Sequence, residues 1–281
     1  MEWVNRFNSA INYMEEHIKE KINLEEAGRI AGCSSYHFQR MFAYMADVLL
    51  SEYLRRRRMS LAAVDLLAGE KVLDVALSFE YESPTAFNRA FKEIHGIAPS
   101  RISEQGVSIK SYPPIHFHIS VKGECEMNYR IVKKEAFRIV GISMGLEKEL
   151  EKNLEKVPQM WSRAHMDGSI PKLLGMMDQK MPGIMGVSTC NNQEDWKYYI
   201  AVASLVDTPV GMEDCIIPAF TWAVFSGEGV GTSIQDLERR IVMDWLPTSG
   251  YEYADGPDME VYLNTDPVNM KYEVWIPVVR K

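Results

Sequence analysis

Cysteine is scarce in this chain: its 281 residues contain four, Cys33, Cys125, Cys190 and Cys215, none in a Cys-x-x-Cys spacing. Thiols so scattered exclude a disulfide framework and a zinc ribbon and point to a reducing, cytoplasmic compartment. No apolar run approaches the roughly 20 residues of a membrane span. The opening Met1-Glu2-Trp3-Val4-Asn5-Arg6 lacks a basic region followed by an apolar one, so no secretory signal is expected. Gly227-Glu228-Gly229-Val230-Gly231 lacks the Gly-x-Gly-x-x-Gly spacing of a phosphate cradle and reads as a strand-to-helix loop. No serine occupies a Gly-x-Ser-x-Gly elbow. His116-Phe117-His118 has no carboxylate or thiol beside it, so neither a metal nor a cofactor is expected. A composition 46% hydrophobic and 25% charged is that of a globular protein and excludes disorder and fibrous repeats.

The net charge of −8 is unevenly spread. Residues 1–110 hold 14 Lys+Arg and 15 Asp+Glu, and residues 111–281 hold 17 and 24. The acidity belongs to the second half, and any nucleic-acid surface in the first must be a local arrangement of its charges.

The halves also differ in periodicity. Residues 1–104 read as helices, with Phe7, Ile11, Met14 and Ile18 at helical spacing. From about 115, short alternating runs rich in Val, Ile, Tyr and Trp mark strands. Two helical stretches interrupt them, about 148–165 and 232–246, the second capped by Thr232-Ser233. The expected organisation is a helical domain over 1–104, a linker over 105–124 and an α+β domain over 125–281.

The helical half repeats itself at an offset of 49. Leu24 faces Leu73, Ala27 faces Ala76, Ser34 faces Ser83, Phe38 faces Phe87, Arg40 faces Arg89 and Phe42 faces Phe91. Each copy is a short helix, a tight turn (Gly32 in the first), a serine and a second helix, the layout of a helix-turn-helix whose second helix enters the major groove. In the first copy Phe38, Met41, Phe42 and Met45 form the apolar stripe, leaving Tyr36, Gln39, Arg40 and Ala43 on the other side. In the second, Thr85, Asn88, Arg89 and Lys92 lie opposite Phe87, Ala90, Phe91 and Ile94. Amide side chains pair with adenine edges and Arg with guanine or phosphate, so both polar faces carry base-reading chemistry. The connecting helix, Ser51 to Leu67, is about 25 Å long at 1.5 Å per residue. It could hold two reading helices about one DNA turn apart, so that a monomer reads two groove segments. Within it, some of Arg55-Arg56-Arg57-Arg58 could contact phosphate while others pair with Glu52 or Asp65.

These residues resemble the DNA-binding domain of AraC/XylS-type transcriptional regulators, Mar and Rob type. The tail Ser83-Pro84-Thr85-Ala86-Phe87-Asn88-Arg89-Ala90-Phe91-Lys92, followed by Gly96-Ile97-Ala98-Pro99-Ser100, is closest to the family signature. The resemblance implies base or groove contacts from Tyr36, Gln39, Arg40, Thr85, Asn88 and Arg89. It also implies promoter DNA and RNA polymerase as partners, with activation the commoner mode.

The strand-rich half shows the order strand–helix–strand–strand twice: 128–144, 149–166, 184–190, 197–205, then 219–227, 232–246, 258–264, 271–279. Two such units side by side would give an antiparallel sheet with helices on one face and a central cleft. Along Tyr272-Glu273-Val274-Trp275-Ile276, Glu273 shares a face with Trp275, a pairing that suits a lipophilic cation. Glu273 is read as a pocket residue, and Glu260, inside Met259-Glu260-Val261-Tyr262, as the solvent-facing member of its alternation. Met176, Met177, Met181 and Met185 read as adaptable packing or the lining of a promiscuous pocket.

This half resembles the GyrI-like small-molecule-binding domain, through Trp196-Lys197-Tyr198-Tyr199-Ile200-Ala201-Val202, Pro218-Ala219-Phe220-Thr221-Trp222-Ala223-Val224-Phe225, Trp245-Leu246-Pro247-Thr248-Ser249-Gly250-Tyr251 and Tyr272-Glu273-Val274-Trp275-Ile276-Pro277-Val278. The resemblance implies a cleft with an acid at Glu273 and walls at Trp222 and Trp275. Trp161, Tyr198, Tyr199 and Tyr262 are the other aromatics of the strands and helix considered for it, with Trp161, Tyr199 and Tyr262 taken as its candidate residues. The expected function is a one-component transcriptional regulator, not an enzyme, sensing a small hydrophobic or cationic effector. Its rivals are a hydrolase using an acid flanked by aromatics and a sequestering module.

Overall fold

The computed structural model describes residues 2–118, 126–189, 196–230, 233–264, 266 and 268–281. Cys125, Cys190, Thr232 of the expected cap and residues 119–124 of the expected linker lie outside them.

Six helices form the first half: α1 (Glu2–Glu16), α2 (Leu24–Ala31), α3 (Ser35–Ala46), α4 (Leu50–Leu67), α5 (Val72–Ser78) and α6 (Pro84–His95). The repeat emerges as α2–α3 and α5–α6, with both second helices 12 residues long and offset by the same 49 positions. Their N-caps are the matched serines. Ser34 accepts from His37 N–H and Ser83 from Ala86 N–H, each at 3.2 Å, satisfying donors that an uncapped first turn leaves open. Gly32 takes the left-handed φ of 79° that ends α2. A Cβ on Gly28 would lie 2.7 Å from Ser35 N, so the backbones of α2 and α3 touch there. Phe38 and Phe42 pack with Phe7, Ile11 and Met14 of α1, while Phe79, Phe87 and Phe91 build a separate core against α4.

The four consecutive arginines of α4 are all engaged inside this half. Arg55 pairs with Glu52 and Glu93, and Arg56 with Glu52. Buried Arg57 forks onto Glu15 and donates to Tyr112 O, and Arg58 donates to the carbonyls of Ile18 and Glu20. The described part of the expected linker runs along the same helices. Tyr112 N–H donates to Ser60 Oγ at 2.9 Å, Ile115 N–H to Tyr53 Oη at 3.2 Å, and Asn8 makes two bonds to the Phe117 backbone. His116 lies 3.4 Å from Asn8 Nδ2.

The second half comprises β1 (Tyr129–Lys134), β2 (Phe137–Gly145), α7 (Leu150–Met166), α8 (Ser169–Met176), β3 (Ile184–Thr189), β4 (Lys197–Ala203), β5 (Glu213–Ile217), β6 (Phe220–Gly229), α9 (Ser233–Arg240, continuing as a π-turn over Ile241–Trp245), β7 (Tyr251–Tyr253), β8 (Asp258–Tyr262) and β9 (Met270–Arg280). The strand order is β1-β6-β9-β8-β3-β4-β2-β5, all antiparallel, with β7 beside β9. The two units, β2-α7-β3-β4 and β6-α9-β8-β9, are therefore related end to end and meet at β3·β8.

Two expectations change. The stretch 128–144 is two strands: β1 crosses to pair with β6 of the second unit, and β2 stays with β4 and β5. Gly227-Glu228-Gly229 of the glycine run is the end of β6 rather than a loop, and Gly231 lies outside the described residues. A Cβ on Gly227 would lie 2.5 Å from the Tyr272 ring, so the strand needs glycine for that aromatic to lie across it.

Both helices cover the same sheet face. Val157, Met160 and Trp161 of α7 pack over Ile142, Tyr198, Ile200 and Val202, and Ile234 and Leu237 of α9 over Phe225, Tyr272 and Val274. The α9 cluster is continuous with the core of α1–α3, so the first helix-turn-helix and the second strand–helix unit share one hydrophobic mass. The opposite face carries its own core, including Met185, Tyr199, Trp222 and Trp275. The methionines follow this division: Met176 and Met177 pack under the first face and Met181 and Met185 into the second. Among the described residues, no helix is long and apolar enough to cross a membrane.

Candidate functional site

The candidate cleft is the seam where β3 meets β8, with α7 on one side and α9 on the other. Across that seam Ser188 pairs with Asp258, Gly186 with Glu260 and Ile184 with Tyr262, so a small residue on β3 faces each carboxylate on β8. A Cβ on Gly186 would lie 2.2 Å from Tyr198 Oη and 3.4 Å from Glu260 Oε2, so glycine makes room for both. Tyr262 Oη donates to Glu260 Oε2 at 2.7 Å, and Trp161 Nε1 donates to Tyr198 Oη at 2.9 Å. Trp161 stands edge-on to Tyr262, with centroids 4.9 Å apart. Burial, reinforced by the nearby Glu238 carboxylate and by Asp258, pushes Glu260 up to about 7, although Arg40 and the Tyr262 bond act the other way. Burial also raises the Tyr198 phenol, so it stays a neutral hydrogen-bonding wall.

The candidate effector residues divide between the two sheet faces. Trp161 and Tyr262 line the cleft. Tyr199, Trp222 and Trp275 point the other way, into the core of the helix-free face. Glu273 does share a face with Trp275, as the alternation implies, but that face is not the cleft. Its carboxylate accepts from Trp275 Nε1 and Arg130, each at 2.9 Å. Glu260, read from the alternation as solvent-facing, is the acid in the cleft, and Tyr198 rather than Tyr199 is its aromatic neighbour. Tyr198 and Tyr199 are neighbours on β4, and Glu273 pairs with Val261, one residue from Glu260, so each pair of residues falls on opposite faces, because strand side chains alternate.

The second helices of the two repeat copies have opposite fates. On α6, Thr85, Asn88, Arg89 and Lys92 are all exposed. On α3, the matched polar face is covered by the second half of the chain. Tyr36 is 5% exposed and lies edge-on to Trp196 at 5.8 Å. Gln39 donates to Lys148 O at 2.9 Å and accepts from Leu150 N–H at 3.4 Å. Arg40 donates to Glu238 Oε1 at 2.6 Å, to Asp258 Oδ2 at 3.3 Å and to Tyr44 Oη at 3.2 Å, with the Tyr36 and Tyr44 rings each 5.8 Å from its guanidinium carbon. Tyr44 Oη also donates to Glu238. Buried His37 places Nε2 2.8 Å from Asp258 Oδ2. Burial raises the Asp258 carboxyl, but His37 and Arg40 outweigh it and hold the group below its ordinary value. The polar face of α3 does point away from its own helical core, as its pattern implies, but it meets protein rather than solvent.

His37, Glu238 and Asp258 were not among the candidates. Glu238 had a signal: it stands one turn after Ile234 and beside Leu237, on the buried side of α9. Among the described residues no three His, Cys, Asp or Glu side chains are grouped as a metal site.

Comparison with known proteins matches residues 127–279 to the GyrI-like small molecule binding domain and residues 28–105 to a helix-turn-helix domain. The chain is 25% identical over 291 residues to the Right origin-binding protein of Escherichia coli (strain K12), covering 95% of this chain and 96% of that protein. It is 25% identical over 292 residues to the transcriptional regulator Rob of Salmonella typhimurium, with the same coverage. The regulatory protein SoxS of Salmonella typhimurium is 35% identical over 91 residues, 32% of this chain and 85% of that protein.

Proposed function

This chain belongs to the family of GyrI-like small molecule binding domains and is an AraC-type transcriptional regulator; on that premise we propose that its effector is a lipophilic organic cation seated over Glu260. The observation that carries this reading is the Glu260 carboxylate beneath Tyr198, Tyr262 and Trp161. An aromatic cation there gains ring-face attraction and charge pairing in a partly desolvated site, where each is stronger than in water. Promoter DNA is read by Thr85, Asn88 and Arg89 of α6 and by Tyr36, Gln39 and Arg40 of α3. RNA polymerase is engaged at the bound promoter for activation.

Calorimetry with tetraphenylphosphonium and with neutral triphenylphosphine oxide tests the cleft. Glu260→Gln should lower affinity for the cation at least tenfold and leave the neutral compound within about twofold. Equal losses for both would remove charge from the reading, and chemically altered ligand recovered from the wild type would turn it towards a hydrolase. Selection of duplexes from a random pool should recover two short elements about one helical turn apart.

A further inference from the structure

We infer that Arg40 is an internal surrogate for the effector: it occupies the acidic end of the cleft and withholds the first reading helix from DNA until an organic cation displaces it. This rests on the reading of the cleft as a cation site.

Arg40 meets the chemistry that the effector would meet. Its planar cation lies against two tyrosine rings and donates to Glu238 and Asp258, beside Glu260. The side chain is 15% exposed and its partners 9% and 11%, so this is an occupied binding site rather than a surface ion pair. Beneath α3 there remains a cavity of about 20 Å³, lined by His37, Arg40, Tyr44, Glu238 and Asp258 among others. That holds about one water, whereas a drug-sized ligand needs roughly 300 Å³ or more. An effector of that size reaches the Glu238 and Asp258 end of the cleft only if α3 leaves it.

The repeat supplies an internal control. Arg40 and Arg89 occupy equivalent positions in helices of equal length with equivalent serine caps. Arg89 is exposed, while Arg40 is shut between domains. The difference lies in the cover and not in the helix. Tyr36, Gln39 and Arg40 cannot reach a base edge while they contact Trp196, Lys148, Leu150, Glu238 and Asp258. DNA and effector therefore both require the conformation in which α3 has left the cleft, and two ligands selecting one conformation bind with positive coupling. If the closed form is favoured tenfold, effector raises apparent DNA affinity about tenfold.

The test measures the affinity of the full chain for its selected duplex, with and without saturating tetraphenylphosphonium. The wild type should gain about tenfold. Trp196→Ala and Leu150→Ala each remove part of the seat of Tyr36 without touching Glu260. Both should show the gain without ligand and respond little to it. Cation binding by calorimetry with unchanged or weakened DNA affinity, together with wild-type affinity in both variants, would overturn the lock and leave the cleft reading standing. If the cation binds neither wild type nor either variant, displacement is overturned along with the cleft reading. Tighter DNA binding by the variants would in that case still uphold the lock.

Discussion

Arg40 and Glu238 form an ion pair of 2.6 Å across 198 residues of sequence, one on the second helix of the first helix-turn-helix and the other on α9, which covers the sheet of the second half. Removing one partner of a buried pair costs far more than the pair contributes, because the other charge is left buried and alone. The pair therefore makes the interface between the halves sensitive to anything that withdraws Arg40.

Arg40→Ala should loosen that interface by about 3–5 kcal/mol. Scanning calorimetry is expected to resolve two transitions, one per half, where the wild type gives a more cooperative one. An unchanged profile would show that the continuous apolar cluster of α1–α3 with α9 holds the halves together by itself.

Glu260 should make binding of the proposed cation pH-dependent. Its carboxyl is raised to about 7 by burial, by Glu238 and by Asp258, against Arg40 and the Tyr262 hydroxyl. Only the ionised form attracts a cation, so tetraphenylphosphonium affinity should rise about tenfold between pH 6 and pH 8. Stability moves the other way. A carboxyl raised in the folded state binds its proton there more tightly than in the unfolded chain. Its contribution is fully present below 4.5 and is lost as pH rises through 7. Glu260→Gln should flatten both profiles, as read by calorimetric titration and denaturant midpoints at each pH.

The equivalent arginines should not behave equivalently. Arg89→Ala is expected to cost about 1–3 kcal/mol of specific DNA affinity if the side chain reads a base. Arg40→Ala should lose less without effector, because release of α3 offsets the missing contact, and should show its full loss once effector saturates both proteins. Equal losses under both conditions would mean that α3 is not restrained.

Arg57→Ala separates structure from phosphate contact. Its fork onto Glu15 and its bond to Tyr112 O are buried, so about 3–5 kcal/mol of stability should disappear. The slope of log K against log salt should stay the same in duplex titrations. A slope reduced by about one would place Arg57 on a phosphate.

Much of the architecture was determined locally and is legible in the sequence. The offset of 49 carries the serine caps, the apolar stripes and the lengths of α3 and α6, because capping and 3.6-residue periodicity are properties of adjacent residues. The doubled strand–helix–strand–strand order follows from the same kind of signal, with period two. Period two says which residues share a face and nothing about which face receives the helices. That assignment for Glu260 against Glu273, and for Tyr198 against Tyr199, depends on the pairing of several strands, and only the register across β4·β3·β8·β9 decides it. The break of 128–144 into two strands likewise depends on partners far away in the chain. The polar face of α3 shows the limit most plainly. A helix face of Tyr, Gln and Arg looks the same in sequence whether it awaits DNA or lies against carboxylates, since both partners satisfy the same donors. Its twin on α6 carries the same pattern into solvent. Only tertiary structure, by packing α9 and β8 against one copy and not the other, could distinguish them.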